Sequence, residues 1–319
     1  MKKSENNIYS ILKALGITPQ FLIVLFLTIL IFGIALGMFF KKTSQHKNKK
    51  EVIEKIVPTE AIVPESDNVI NNETKESIQL ANTTFYKNSV PVNKKIEKPV
   101  LAIIIDDMGI DMIRSKDILE LNYPLNVSYL TYAPNIQSQI NIARNTGKEV
   151  MLHIPMQALN DNYDYGGDYL STDKTREENI EILKNFLTKI TGYIGVNNHM
   201  GSKFTADMHH LSGIMEELAK QGLAFIDSRT TPLSKANEIA DFLKLPYVAR
   251  DVFLDDSNNL EDIQKSLIKL ENIAKKRGYA IAIGHPRKNT IKALKNWLPT
   301  LEQNGLELVP ISYIIKNNL

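Results

Sequence analysis

The chain contains no cysteine, which excludes disulfides and cysteine–zinc centres and is compatible with either side of a bacterial membrane. It also has no charge bias. Its 38 Lys and Arg against 36 Asp and Glu leave a net charge of +2, with the lysines spread along the chain, so nothing points to nucleic acid as a partner. No internal repeat is present, and glycine is missing altogether between Lys41 and Glu97. What remains is ordinary for a globular protein: 319 residues, 43% hydrophobic and 23% charged, enough for one large domain or two small ones.

Residues 21–40 form an apolar run without charge, flanked by Lys13 and by Lys41-Lys42. At about 1.5 Å per residue, a helix over that run spans about 30 Å, the thickness of a bilayer core. Ala35-Leu36-Gly37 loosely fits the cleavage site of a signal peptide, the competing reading. The run is longer than a signal h-region and continues past that site, so an uncleaved anchor touching membrane lipid is expected. Lysine counts on the two sides lean toward a cytoplasmic C-terminus, although long domains translocate largely regardless of such charges. Residues 1–20 are then a short tail. Residues 41–97, polar and glycine-free, read as a flexible linker, and a folded domain is expected over 98–319.

From Val100 onward, strand and helix patterns alternate. Strands are expected at 100–106, 125–132, 149–153, 193–198, 223–227, 247–253, 279–284 and 307–311, with helical patterns between them. Thr175 and Glu178 form a capping-box signature for the third helix. Seven or eight β–α units in one stretch predict a single closed or nearly closed (β/α) barrel.

Several of these strands stop at carboxylates or histidines. In parallel α/β folds the C-terminal strand ends converge on one face, where such side chains meet. Asp106-Asp107 follows Ile103-Ile104-Ile105 and precedes Gly109, which permits a tight turn. Asp107 or Asp111 could simply cap the next helix. The chemical alternative is a division of labour, one carboxylate binding a cation and its neighbour acting as a base. His153 ends one strand, where a hydrogen-bonded core histidine is the plain alternative, and His199 lies in the polar phrase Asn197-Asn198-His199. Carboxylate oxygen plus two imidazole nitrogens is a ligand set that suits zinc and its neighbours and leaves room for water. His285, ahead of Pro286, could be a fourth ligand, a structural residue or a general acid. Asp227-Ser228-Arg229 and Arg250-Asp251 pair opposite charges at strand ends. They are either surface ion pairs or the groups that orient a base and keep a histidine protonated. His46, in the linker, and His209-His210, on a helical pattern, fall outside the site.

These phrases, together with Leu152-His153-Ile154-Pro155-Met156-Gln157, Asp227-Ser228-Arg229-Thr230-Thr231, Arg250-Asp251-Val252-Phe253-Leu254-Asp255 and Ile283-Gly284-His285-Pro286, resemble the divergent polysaccharide deacetylase family, envelope relatives of the NodB-type carbohydrate esterases. The resemblance runs from about Val100 to Ser312. It implies a NodB-like barrel with one divalent metal, zinc foremost, on Asp107, His153 and His199. It also implies Asp106 as base and His285 as acid, with Asp251 orienting His285 and Arg229, or Arg250 near it, holding Asp106. The usual second histidine of the His-x-x-x-His motif is Gln157 here, and His199 would supply the missing nitrogen. The implied activity is removal of N-acetyl groups from an envelope polysaccharide or peptidoglycan-type glycan, by a domain on the extracytoplasmic side of the membrane. The competing readings are a non-catalytic scaffold that binds glycan or an envelope partner, and a hydrolase of another ester or amide.

Overall fold

Strand β1 (Val100–Met108) is the spine of the domain, buried along almost its whole length, as a central parallel strand with both faces covered should be. The computed structural model describes residues 83–160 and 162–317. The apolar run at 21–40 and the linker before residue 83 lie outside the described residues. Among the described residues, no helix is long and apolar enough to cross a membrane.

Around β1 are β2 (Asn126–Leu130), β3 (Glu149–Met156), β4 (Gly195–Met200), β5 (Ala224–Asp227), β6 (Tyr247–Ala249), β7 (Val252–Phe253), β8 (Tyr279–Gly284) and β9 (Glu307–Leu308). All pair in parallel in the order β6-β5-β4-β3-β2-β1-β8-β7, and β9 pairs with the first two residues of β1. The helices are α1 (Thr84–Asn88), α2 (Met112–Leu119), α3 (Ile136–Asn145), α4 (Arg176–Thr188), α5 (Met208–Lys220), α6 (Ala236–Leu243), α7 (Leu260–Arg277), α8 (Lys288–Trp297) and α9 (Ile311–Lys316). The expected capping box opens α4, with the Thr175 side chain accepting from the Glu178 amide and Glu178 accepting from the Thr175 amide. Gly278 ends α7 in the left-handed conformation (φ 94°), donating its N–H to Ala274 O.

Strand alternation divides the core into two layers. Val100, Ala102 and Ile104 of β1 pack with Met151, Ile226, Val248, Ile281 and Ile283, so the sheet curls until its inner face meets itself. Leu101, Ile103 and Ile105 face outward to the helices. The inward parity carries Asp106, His153, His199 and His285 to the C-terminal mouth of the curl.

Closure differs from the expected barrel of seven or eight strands. The single strand expected at 247–253 is two short strands on opposite edges, β6 on β5 and β7 on β8. Arg250 and Asp251 cross between them, Arg250 N donating to Asp227 O and Asp251 N to Ile281 O. The chain leaves one edge before it joins the other, so the described sheet has nine strands and a seam. Gly195 marks the tightest approach in the wall, because a Cβ there would lie 2.3 Å from the Ala224 carbonyl oxygen.

The domain boundary also differs. The linker was expected to run to residue 97, but α1 belongs to the fold. Phe85 is fully buried in the inner layer, its N–H donates to Gly222 O, and Val90 N donates to the Glu149 carboxylate. Glu149, buried at the start of β3, also accepts from the Ser312 amide and hydroxyl, tying both ends of the domain to one side chain. Short apolar stretches such as Thr84-Phe85-Tyr86 have no periodicity to announce them. Phe85→Ala should therefore cost about 3–5 kcal/mol, read as a lower denaturation midpoint. A chain trimmed to begin at Lys98 should lose at least as much; unchanged stability of that chain would place the boundary at 98 after all.

Candidate active site

Neighbours on a strand point to opposite faces, so Asp106 and Asp107 should not share a site. Asp106 keeps the inward parity of Ile104. Asp107 joins it because the β1–β2 register slips between Ile105 and Met108 and Asp107 itself is left-handed, with φ 55°. Gly109 completes the turn with φ 103°, where a Cβ would lie 2.6 Å from the Ala133 side chain. The helix that follows is capped by Asp111, whose side chain accepts from Arg114 N. Asp107 is thus free of capping duty.

Asp107 Oδ1 lies 3.3 Å from His153 Nε2 and 3.1 Å from His199 Nδ1, and these two nitrogens are 3.2 Å apart. Ligands about 2.0–2.1 Å from a tetrahedral ion stand about 3.3 Å from one another, so the triangle has the dimensions of one face of a zinc-type site. Asp107 Oδ1 is buried yet accepts no hydrogen bond. Burial pushes the Asp107 pKa up, but the facing His153 and His199 outweigh it and hold the group well below the usual carboxylate range. The donor set and its spacing fit a divalent metal.

Asn197 is the residue whose importance was not legible beforehand. It is fully buried on β4, and its amide nitrogen donates to Asp106 Oδ1 at 2.7 Å and to Ser228 Oγ at 3.3 Å. Its carbonyl oxygen accepts from Ser128 Oγ and from His153 Nδ1, the latter at 2.9 Å. A carboxylate can take only a donor, so the amide orientation is forced. His153 Nδ1 must then carry a proton, and in the neutral ring the Nε2 lone pair is aimed at the triangle. Asn198 faces the other way and pins the loops, accepting from Ser228 N and donating to Met200 O.

Asp106 is almost completely buried, and burial raises its pKa above the ordinary value despite nearby His153 and His285. Its Oδ2 lies 3.6 Å from His153 Nε2. On the opposite side, His285 Nε2 is 3.7 Å from Asp107 Oδ2. His285 Nδ1 donates to Asp255 Oδ1 at 2.9 Å, while Asp255 Oδ2 accepts from His285 N and Thr290 Oγ1. Burial alone would lower the His285 pKa, but the hydrogen bond and charge of Asp255, with Asp107 and Asp106 beyond, raise it above the ordinary imidazole value.

Two expected positioning roles fall to other residues. Asp251 is not the partner of His285: it precedes β7, pairs with Arg277 and accepts from Ile281 N. Asp255 follows β7, at the strand end where the site lies, and takes that role. The sequence signal for it is the second acid of Asp251-Val252-Phe253-Leu254-Asp255, four residues on. Arg229 does not hold Asp106. Among the described residues the only ion-pair partner of Asp106 is His153, and Arg229 instead lies left-handed and exposed beyond β5, its N–H donating to Asp227 Oδ1. Gln157 stands away from the triangle, clamped between Asp173 Oδ2 and the Thr172 amide and hydroxyl. His210 is spent on Asp207 and Lys174 O.

The site is thus a pair of acids and three histidines at the mouth of a curled parallel sheet. The chain belongs to the divergent polysaccharide deacetylase family, whose model matches residues 103–315. It is 34% identical over 219 residues to an uncharacterized protein of Haemophilus influenzae, covering 68% of this chain and 77% of that one. An uncharacterized Escherichia coli protein, YibQ, is 31% identical over 201 residues, 63% of either chain. Among solved structures, an uncharacterized Agrobacterium tumefaciens protein superposes with a TM-score of 0.70 at 26% identity, over 73% of this chain and 95% of that one.

If Asp255 holds His285 protonated, Asp255→Asn should lower the His285 pKa. Imidazole NMR resonances followed through a pH titration would show it losing its proton at lower pH than in the parent. An unmoved titration would mean that Asp107 and Asp106 alone set it.

Proposed function

We propose that the protein is a metal-dependent deacetylase that hydrolyses N-acetyl groups of an envelope glycan. The observation that carries this reading is the near-equilateral triangle of Asp107 Oδ1, His153 Nε2 and His199 Nδ1, flanked by Asp106 and by His285. Asp107, His153 and His199 would hold the divalent cation, which supplies Lewis acidity to the water nucleophile and to the acetyl carbonyl. Zinc suits these donors best.

The protein's own groups divide the proton traffic. Asp106, held by Asn197 with one oxygen and leaving Oδ2 toward the triangle, takes the proton from the attacking water. His285, kept protonated by Asp255, gives the Nε2 proton to the nitrogen as the C–N bond breaks. Water and the acetamide become acetate and a free amine, and both catalytic groups regain their starting states once the proton moves back through solvent. The alternative reading, a non-catalytic scaffold, would follow from a broken metal motif. It is disfavoured because His199 stands beside His153 while Gln157 is bound up in a loop. Residues 21–40 would anchor the domain to the membrane with its catalytic face on the extracytoplasmic side, a placement tested by proteolysis of the domain in spheroplasts with an intact inner membrane.

Elemental analysis of purified protein should find about one divalent metal per chain, and His199→Ala should lose it; an undiminished metal content would remove His199 from the site. Asp106→Asn should keep the metal but lose about 10²- to 10⁴-fold in acetate release from N-acetylglucosamine oligosaccharides. Metal-loaded parent protein that releases no acetate from any N-acetylated glycan would favour the scaffold.

A further inference from the structure

Large apolar side chains left exposed are unevenly placed on this domain. Of the nine among the described residues, seven lie at the C-terminal mouth, in the loops that follow β1, β2, β3 and β5 or in the first turn of α2. Ile110, Met112 and Ile113 follow β1, Tyr132 follows β2, Leu159 and Tyr163 follow β3, and Leu233 follows β5. The other two, Ile142 and Ile268, sit singly on α3 and α7, and none lies on the loops at the opposite end of the sheet. Scattered exposed apolar residues are ordinary, whereas a ring of them on one face marks an interaction surface.

Nothing inside the domain asks for these side chains. Asp111 is the N-cap of α2, so Ile110 is placed to staple onto the residue four positions into the helix. That residue is Ser115, whose hydroxyl accepts from Gly109 N instead. Ile113 is left 77% exposed. Leu159 and Leu233, 69% and 66% exposed, are held outward by fixed loops. Leu159 N donates to Ser202 Oγ, Leu233 N to Thr231 Oγ1, and the neighbouring Ser234 Oγ to Asp227 Oδ2. The Tyr132 ring lies over Gly166, where a Cβ would stand 2.5 Å from a ring carbon, so it braces the loop that carries Leu159 and Tyr163.

We propose that this apolar mouth is a docking surface for the lipid bilayer, immersed at the level of the headgroups. The occupant follows from the chain that precedes the described residues. Residues 21–40 are an uncharged apolar run long enough to span a bilayer core, and residues 41–82 separate it from the start of the domain. A flexible chain of about 40 residues reaches about 35 Å, enough to let a domain built on a nine-residue central strand turn its mouth to the membrane. A tether of that kind also keeps the domain near lipid at about millimolar effective concentration, where a shallow apolar patch suffices. The Ile, Leu and Met side chains suit the acyl boundary, and Tyr132 and Tyr163 suit the headgroup level, where rings with a polar end are enriched. The inference rests on the anchor reading only for keeping lipid within reach.

Because the chain has no cysteine, single labels report one position each. Full-length protein is reconstituted in phosphatidylcholine vesicles with an environment-sensitive fluorophore on Ile113→Cys, Leu159→Cys or Leu233→Cys, and on Ile268→Cys as the control on α7. The three mouth labels should shift their emission to the blue and be quenched by lipids carrying a nitroxide near the headgroup. The label on α7 should stay in water and unquenched. High salt should leave the quenching in place, since the contact is apolar rather than ionic. Leu159→Ser with Leu233→Ser, read by the label on Ile113→Cys, should lose the quenching and keep the parent's thermal midpoint, because both side chains are exposed. Mouth labels that stay in water, or that are quenched no more than the α7 label, overturn the proposal. A blue shift without nitroxide quenching also overturns it, and makes a protein partner or a second copy the occupant. The two membrane readings fail separately. Alkaline carbonate that strips a chain whose mouth labels had been quenched removes the anchor and leaves the docking surface, whereas a chain that resists carbonate with unquenched mouth labels does the reverse.

Discussion

A single carboxamide holds the two halves of the site in register. Asn197 is buried and surrounded by four partners, and it can satisfy them in only one orientation: nitrogen toward Asp106 and Ser228, oxygen toward His153 and Ser128. That orientation puts a proton on His153 Nδ1, so that in the neutral ring Nε2 presents its lone pair. The same side chain steadies the buried Asp106, whose desolvation would otherwise favour its neutral form. An aspartate at 197 would repel Asp106, and a leucine would leave buried polar groups unpaired, each at a cost of about 1–3 kcal/mol.

Around this hub the backbone departs from regular sheet where the chemistry requires it. The left-handed Asp107 and the slipped β1 register bring two adjacent acids to one face, while left-handed Met200 ends β4 and left-handed Arg229 sits just past β5. Such conformations cost about 1–3 kcal/mol each and persist where surrounding contacts over-determine them. Here those contacts include Asn198 and Thr230, both donating to Met200 O, and Arg250, donating to Arg229 O. The result is three possible ligand atoms packed within 3.3 Å of one another, an arrangement that fits a cation.

Much of this was legible in the sequence. Apolar runs leading into Asp106-Asp107, His153, His199 and His285 announced the strands and the face they share, although β3 continues past His153 to Met156. The seam was not legible, since 247–253 reads as one strand and only three-dimensional pairing shows that its halves join opposite edges. The sequence does not separate Asp251 from Asp255 for the same reason: without the position of β7, neither acid is nearer the mouth. Arg229 looked like a partner for Asp106 because it follows a strand end, but its left-handed backbone turns it to the rim. Asn197 was visible as part of a polar phrase, yet a buried amide hub depends on four elements that no local pattern connects. The packing of α1 escaped because one buried Phe in a polar stretch carries no periodic signal.

The central claim is that Asp107, His153 and His199 form the metal centre while His285 remains outside it. X-ray absorption at the zinc edge of the zinc-loaded protein counts imidazoles directly. The account predicts two imidazoles and a carboxylate in the parent, the same shell in His285→Ala, and a shell short of one imidazole in His199→Ala. A shell that loses an imidazole in His285→Ala, or keeps both in His199→Ala, would contradict it.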